Sequence, residues 1–123
     1  MKKISIMIFL TVLLSACSRA VKPSVPQVRL ETSVGQEVKI ILPSNPSTGY
    51  HWQIVGKLDK NIVEFVSNDF RADKPVMPGS GGSDVWVFKA LGPGETTITL
   101  GYYPPSNNPT APQETKTFTL AVK

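Results

Sequence analysis

From Val28 onward, apolar side chains recur at every second position in short runs, the period of a strand with one face buried. Val28 and Leu30 alternate with charged neighbours. Val38, Ile40 and Leu42 repeat the pattern after a turn at Val34-Gly35-Gln36, and Tyr50, Trp52 and Ile54 follow, with His51 and Gln53 on the polar side. Residues 62–67 read as a strand whose face is ambiguous, because Ile62 and Val66 lie on one parity and Val63 and Phe65 on the other. Asp84 to Ala90 is apolar on both faces, with Trp86 and Phe88 expected inward against Val85 and Val87. Two more alternating runs follow a turn at Gly92-Pro93-Gly94: Ile98, Leu100 and Tyr102, then Phe118, Leu120 and Val122. Apolar recurrence at helical spacing is not sustained anywhere. About seven strands separated by Gly and Pro turns predict an all-β, immunoglobulin-like β-sandwich, with Trp52 on the third strand as its buried indole.

Three stretches break the alternation. Asn45-Pro46-Ser47-Thr48-Gly49-Tyr50 joins the second strand to the third: Pro46 restricts its own backbone and that of Asn45, and Gly49 permits a sharp reversal. Tyr50 and Trp52 are expected to fix the base of this loop while Ser47 and Thr48 reach outward. Residues 68–83 are expected to be irregular, with Gly79-Ser80-Gly81-Gly82 near their end, and residues 103–112 carry Pro104, Pro105, Pro109 and Pro112. Loops separated by two strands return to the same end of a sandwich, so the three are expected to cluster. Glycines there let main chain approach a partner, and prolines reduce the entropy lost on binding.

The N-terminus adds a different element. Lys2 and Lys3 precede an apolar run from Ile4 to Leu14 that ends in Leu14-Ser15-Ala16-Cys17, the arrangement of a secretory signal and too short for a membrane span. Leu-Ser-Ala-Cys resembles the lipobox of bacterial lipoproteins, which implies a signal peptide over residues 1–16 and lipid on Cys17. Residues 17–24 then read as a tether and 25–123 as the domain. Cleavage leaves 107 of the 123 residues, enough for one core. Ser18 in place of an aspartate implies the outer membrane, facing the periplasm.

Composition narrows the chemistry. Cys17 is the one cysteine and His51 the one histidine. An intrachain disulfide, cysteine-cluster metal sites and paired redox centres are excluded, and a zinc site or catalytic triad has too few partners. His51 reads as a solvated strand residue, Gly79 to Gly82 lacks the Lys-Ser/Thr of a phosphate loop, and no cofactor is implied. The net charge of +4 falls to +2 once Lys2 and Lys3 are removed, and the remaining basic residues are dispersed, which excludes nucleic acid as a partner. What remains is a binding protein, expected to be a monomer and not an enzyme.

Asn-Pro-Ser-Thr-Gly-Tyr at 45–50 with Trp52, followed by Gly-Ser-Gly-Gly at 79–82 and the strand containing Trp86 and Phe88, resembles in order and spacing the two leading motifs of the chagasin-type inhibitors of papain-like cysteine peptidases. The resemblance implies a reversible, non-covalent plug for a peptidase cleft. Asn45 to Tyr50 would be the central wedge, with Thr48 nearest the nucleophile, and Gly79 to Gly82 a main-chain contact along the substrate channel. Tyr103, Pro104 and Pro105 would supply the third loop. There the chain departs from the family's Arg-Pro-aromatic pattern: Pro104 stands for the arginine and Ser106 for the aromatic. A lipid-anchored immunoglobulin-like module that binds an envelope protein or sugar is the competing reading.

Overall fold

A computed structural model describes residues 27–108 and 110–123. The signal segment 1–16, Cys17 and the tether 17–24 lie outside the described residues, as do Val25 and Pro26 at the expected start of the domain.

Seven strands follow in chain order: β1 (Gln27–Thr32), β2 (Glu37–Ser44), β3 (His51–Ile54), β4 (Val63–Ala72), β5 (Gly82–Ala90), β6 (Gly94–Tyr103) and β7 (Glu114–Val122). They form a four-stranded sheet in the order β1-β7-β6-β3 and a three-stranded sheet in the order β2-β5-β4. All pairings are antiparallel except β1 with β7. This is the expected immunoglobulin-like sandwich.

The core lies where the inward parities of the two sheets meet. Ile40, Leu42, Val63, Trp86, Phe88 and Ala90 come from the smaller sheet, and Trp52, Ile98, Leu100, Phe118, Leu120 and Val122 from the larger. Phe88, Ile98, Leu100, Leu120 and Val63 are completely buried. Val85 and Val87 are buried as well, on the other face of the central strand β5. Trp52 takes the predicted inward position, and its indole N–H donates to the Pro43 carbonyl at 3.0 Å, so a polar group inside the sandwich is satisfied.

One expectation needs correction. Residues 68–72, read as the start of an irregular stretch, continue β4, which pairs with β5 as far as Ala72 opposite Gly82. The reason is a bulge between Phe65 and Ser67. Val66 has no opposite residue, so the inward parity changes from Val63 and Phe65 to Asn68 and Phe70, opposite Trp86 and Asp84. A two-residue period read through this segment loses its phase at the extra residue. The true irregular connection is shorter, residues 73–81.

The directions of the strands set the position of every loop. β2, β4 and β6 run toward one end, where residues 45–50, 73–81 and 104–113 make the three connections. β3, β5 and β7 leave from that end, and the other connections lie at the opposite end.

Candidate functional site

Residues 45–50 are built around Asn45. Pro46–Thr48 form a single 3-10 turn in which Thr48 N–H donates to the Asn45 carbonyl at 3.1 Å and Gly49 N–H to the Pro46 carbonyl at 3.0 Å. The Thr48 hydroxyl also donates to the Asn45 carbonyl, at 2.7 Å, and the Ser47 hydroxyl to the Asn45 side-chain oxygen, at 2.5 Å. Ser47 and Thr48 are exposed, as expected, but their hydroxyls turn back onto Asn45. The outward surface of the turn is therefore methyl, methylene and backbone. Its polar atoms are largely spent on its own shape, which keeps this exposed loop in one conformation.

Gly49 ends the turn at φ 81°, a left-handed conformation that is costly for any residue with a Cβ. A Cβ at this position would also lie 2.9 Å from the Pro105 Cβ. The third loop thus packs directly on the first at the residue where the first reverses.

The second loop meets the first from the other side. Asn45 uses its amide N–H to donate to the Gly79 carbonyl at 3.3 Å, so one side chain organises its own turn and reaches the neighbouring loop. Within the second loop, Ser80 N–H donates to the Met77 carbonyl and Met77 N–H to the Ser80 hydroxyl, each at 3.0 Å, closing a turn at residues 77–80. Gly82 has a different purpose from its neighbours. It is the first residue of β5, and a Cβ there would lie 2.1 Å from the Arg71 carbonyl oxygen, so its lack of a side chain lets β4 and β5 close the base of the loop. Its place is in the strand pair and not on the rim.

An aromatic layer supports the rim from below. Tyr50 stacks on Tyr102 with ring centroids 5.2 Å apart, Trp52 lies 4.8 Å from the same Tyr102 ring, and His51 stacks on Tyr103 at 6.1 Å. These contacts follow from register, since β3 and β6 place His51 opposite Tyr103 and Trp52 opposite Tyr102. Of the predicted site residues, Tyr50 is thus a half-buried support, whereas Pro46, Ser47, Thr48, Gly79 and Pro105 are exposed at the rim. Tyr103, Pro104, Ser80 and Gly81 are half-buried beside it. His51 is exposed and accepts from Gln53 Nε2 at 2.6 Å, with its Nδ1 3.4 Å from the Gly49 carbonyl, an arrangement that fits an Nδ1–H tautomer and a supporting part.

Two residues missed by sequence reasoning belong to the same edge. Val76 and Met77, in the second loop, are 72% and 62% exposed, and Val76 is the most open large apolar side chain among the described residues. The signal was present: Val-Met set between Pro75 and Pro78 is an apolar pair held in a loop with no core to enter.

Beneath the rim, Asp84 and Ser44 are the buried polar residues of the described chain. Burial pushes the Asp84 carboxyl above its ordinary value, and a hydrogen bond from Ser44 opposes that shift. The site has no cluster of metal-binding side chains among the described residues. Its surface is suited to docking a folded partner on three preformed loops.

An immunoglobulin-like sandwich with such a three-loop edge defines a class of binding protein, and the comparisons make the class specific. Residues 31–122 match the Chagasin family peptidase inhibitor I42, and the chain belongs to this family. Chagasin of Trypanosoma cruzi is 31% identical over 97 residues, 76% of this chain and 86% of its own length. The crystal structure of a cysteine protease inhibitor from Entamoeba histolytica superposes with a TM-score of 0.66 at 28% identity, covering 79% of this chain and 87% of that one. Leishmania mexicana ICP gives a TM-score of 0.59 at 29% identity, covering 86% of this chain and 99% of its own. The chain is accordingly a peptidase inhibitor and not an enzyme.

Proposed function

We propose that the chain inhibits papain-like cysteine peptidases reversibly, by seating the edge formed by residues 45–50, 73–81 and 103–105 in the active-site cleft. The observation that carries this reading is the joining of the three loops: Asn45 bonds to Gly79, and Pro105 packs on Gly49. A rim held together in the free protein loses little conformational entropy on docking. The Pro46–Thr48 turn is the central wedge, flanked by Val76 and Met77 as apolar contacts and by Pro104 and Pro105.

The wedge resists cleavage because of its backbone. A peptidase attacks a peptide whose carbonyl carbon is held in line with the nucleophile. In the 3-10 turn the Asn45 carbonyl already accepts from the Thr48 amide and hydroxyl, and the Pro46 carbonyl accepts from Gly49. Opening the turn far enough to present a scissile bond would break these bonds, so the bound state stays unreactive.

The N-terminal reading completes the proposal. Residues 1–16 are a signal peptide, Cys17 carries lipid, residues 17–24 tether the domain that begins at 25, and the protein sits in the outer membrane facing the periplasm as a monomer. The lipobox-like Leu14-Ser15-Ala16-Cys17 supports this part.

Titrating the processed chain against several papain-like peptidases tests the inhibitory reading. The expected outcome is competitive, reversible inhibition with the inhibitor recovered intact. A well-folded chain that leaves every such peptidase active at micromolar concentration, while recovering an envelope protein or glycan in a pull-down, would replace it with the envelope-module reading.

A further inference from the structure

The polypeptide enters the domain from the same end that carries the three loops. β1 runs parallel to β7 with Gln27 opposite Thr117, and β7 descends from Glu114, which faces Tyr102 at the foot of the third loop. Gln27 therefore lies three residues below that foot, about 10 Å at the rise of a strand, with its amino side directed toward the rim. The C-terminus is at the far end, where Lys123 N–H donates to the Thr32 carbonyl and the Lys123 carbonyl accepts from Val34.

We infer that attachment through the N-terminus holds the inhibitory loops on the membrane side of the domain, so that the anchored chain captures freely diffusing peptidases more slowly than the same domain attached at its other end. This rests on the reading of Cys17 as the lipidated residue. Gln27 is ten residue steps after Cys17, a reach of at most about 35 Å when fully extended. About 10 Å of this is used in regaining the rim, which leaves about 25 Å between the loops and the bilayer. A peptidase domain of about 200 residues is about 40 Å across. It does not fit into that gap along the axis of the loops.

The anchored inhibitor must lean over to take such a partner, and most approaches from bulk solution are blocked. A C-terminal attachment would have the opposite effect and present the loops to solvent.

The single cysteine permits a direct comparison. The processed chain is coupled to maleimide-lipid vesicles through Cys17, and a Cys17→Ser chain is coupled through a cysteine appended after Lys123. Association with soluble papain is followed by progress curves, after both chains are matched for inhibition without vesicles. Attachment at Cys17 is expected to slow capture about tenfold relative to attachment after Lys123, an orientational effect on association rate. Inserting a flexible Gly/Ser segment of about 20 residues between Ser24 and Val25, which adds about 25 Å of reach, is expected to restore the rate. Equal rates for the two attachments, or a slow rate that the insertion leaves unchanged, would overturn the inference. The anchor is read separately from the intact mass of the native chain extracted from membranes. An unmodified Cys17 there removes the lipid reading and leaves the vesicle comparison as a statement about the fold.

Discussion

At the end of the sandwich away from the inhibitory loops, backbone closes on backbone. Gly35 N–H donates to the Ala90 carbonyl at 2.8 Å and Ala90 N–H to the Gln36 carbonyl at 2.9 Å, while Leu91 N–H reaches the Ile62 carbonyl at 2.7 Å and Lys123 N–H the Thr32 carbonyl at 3.0 Å. At the loop end the connections are longer, and each satisfies its own backbone: Thr48 on Asn45, Ser80 on Met77, Gln113 on Tyr102. What joins one loop to another there is a side-chain amide on Gly79 and a proline ring on Gly49. One end is stitched by main-chain bonds that any sequence could make, and the other is shaped by particular side chains. Residues at the loop end can therefore change without undoing the sheets.

Trp52 is the exception that should break this separation, and it carries the largest expected effect. It begins at the loop end yet belongs to the core, donates to Pro43 on the facing sheet, and lies under both Tyr102 and the Lys116 ammonium, which is 5.8 Å from its ring. Trp52→Ala is expected to cost about 3–5 kcal/mol of stability by denaturant unfolding, and to reduce inhibition with it because the bases of the first and third loops are lost together. A variant that keeps its unfolding midpoint but no longer inhibits would mean that the loop end is autonomous to its base.

Thr48→Asp probes the opposite case with a smaller effect on the fold. A carboxylate at the tip of the wedge, facing a buried cleft, is expected to weaken inhibition by about 2 kcal/mol, about thirtyfold. Stability should fall by only about 1 kcal/mol, the worth of the hydroxyl bond to the Asn45 carbonyl. Parallel losses of equal size in inhibition constant and unfolding free energy would show that the turn is a structural brace.

The same division explains what could be read from sequence. The strands are legible because burial imposes a period of two, and Trp52, Trp86 and Phe88 fall inward as their parity requires. The period fails at Val66, since a bulge is a property of a strand pair and leaves no local mark; residues 68–72 therefore have the pattern of a loop although they form the end of β4. The first loop is legible because Pro46 and Gly49 restrict the backbone locally. Its bond to Gly79 and its contact with Pro105 are not, because they join residues 34 and 56 positions away and depend on how the sheets stack. The inward turn of the Ser47 and Thr48 hydroxyls is equally hidden, as either serine or threonine can bond to its own backbone or to a partner. In sequence Gly82 is indistinguishable from the binding run because it follows Gly81, whereas its reason is the Arg71 carbonyl in the adjacent strand.

The smallest effect concerns the buried layer between the two ends. Asp84 sits on the inward face of β5 opposite Leu42, just below the loops, and burial raises its carboxyl above the ordinary value of 3.8 despite the Ser44 hydrogen bond. The folded state then holds this proton more tightly than the unfolded chain does. Stability is fullest below the unfolded value and declines as pH rises through the folded one, leaving the ionised carboxylate a cost at neutral pH. Asp84→Asn keeps a carbonyl to accept from Ser44 and removes the ionisation. The variant is expected to melt above the parent at pH 7, with the gap narrowing as the pH falls toward 3.8. Its affinity for a peptidase should not change, since the residue is sealed beneath the rim. A parent that melts higher than Asp84→Asn at neutral pH would instead make the charge a support of the loop bases, and the two ends of the sandwich would then be joined through an ionised group in the core.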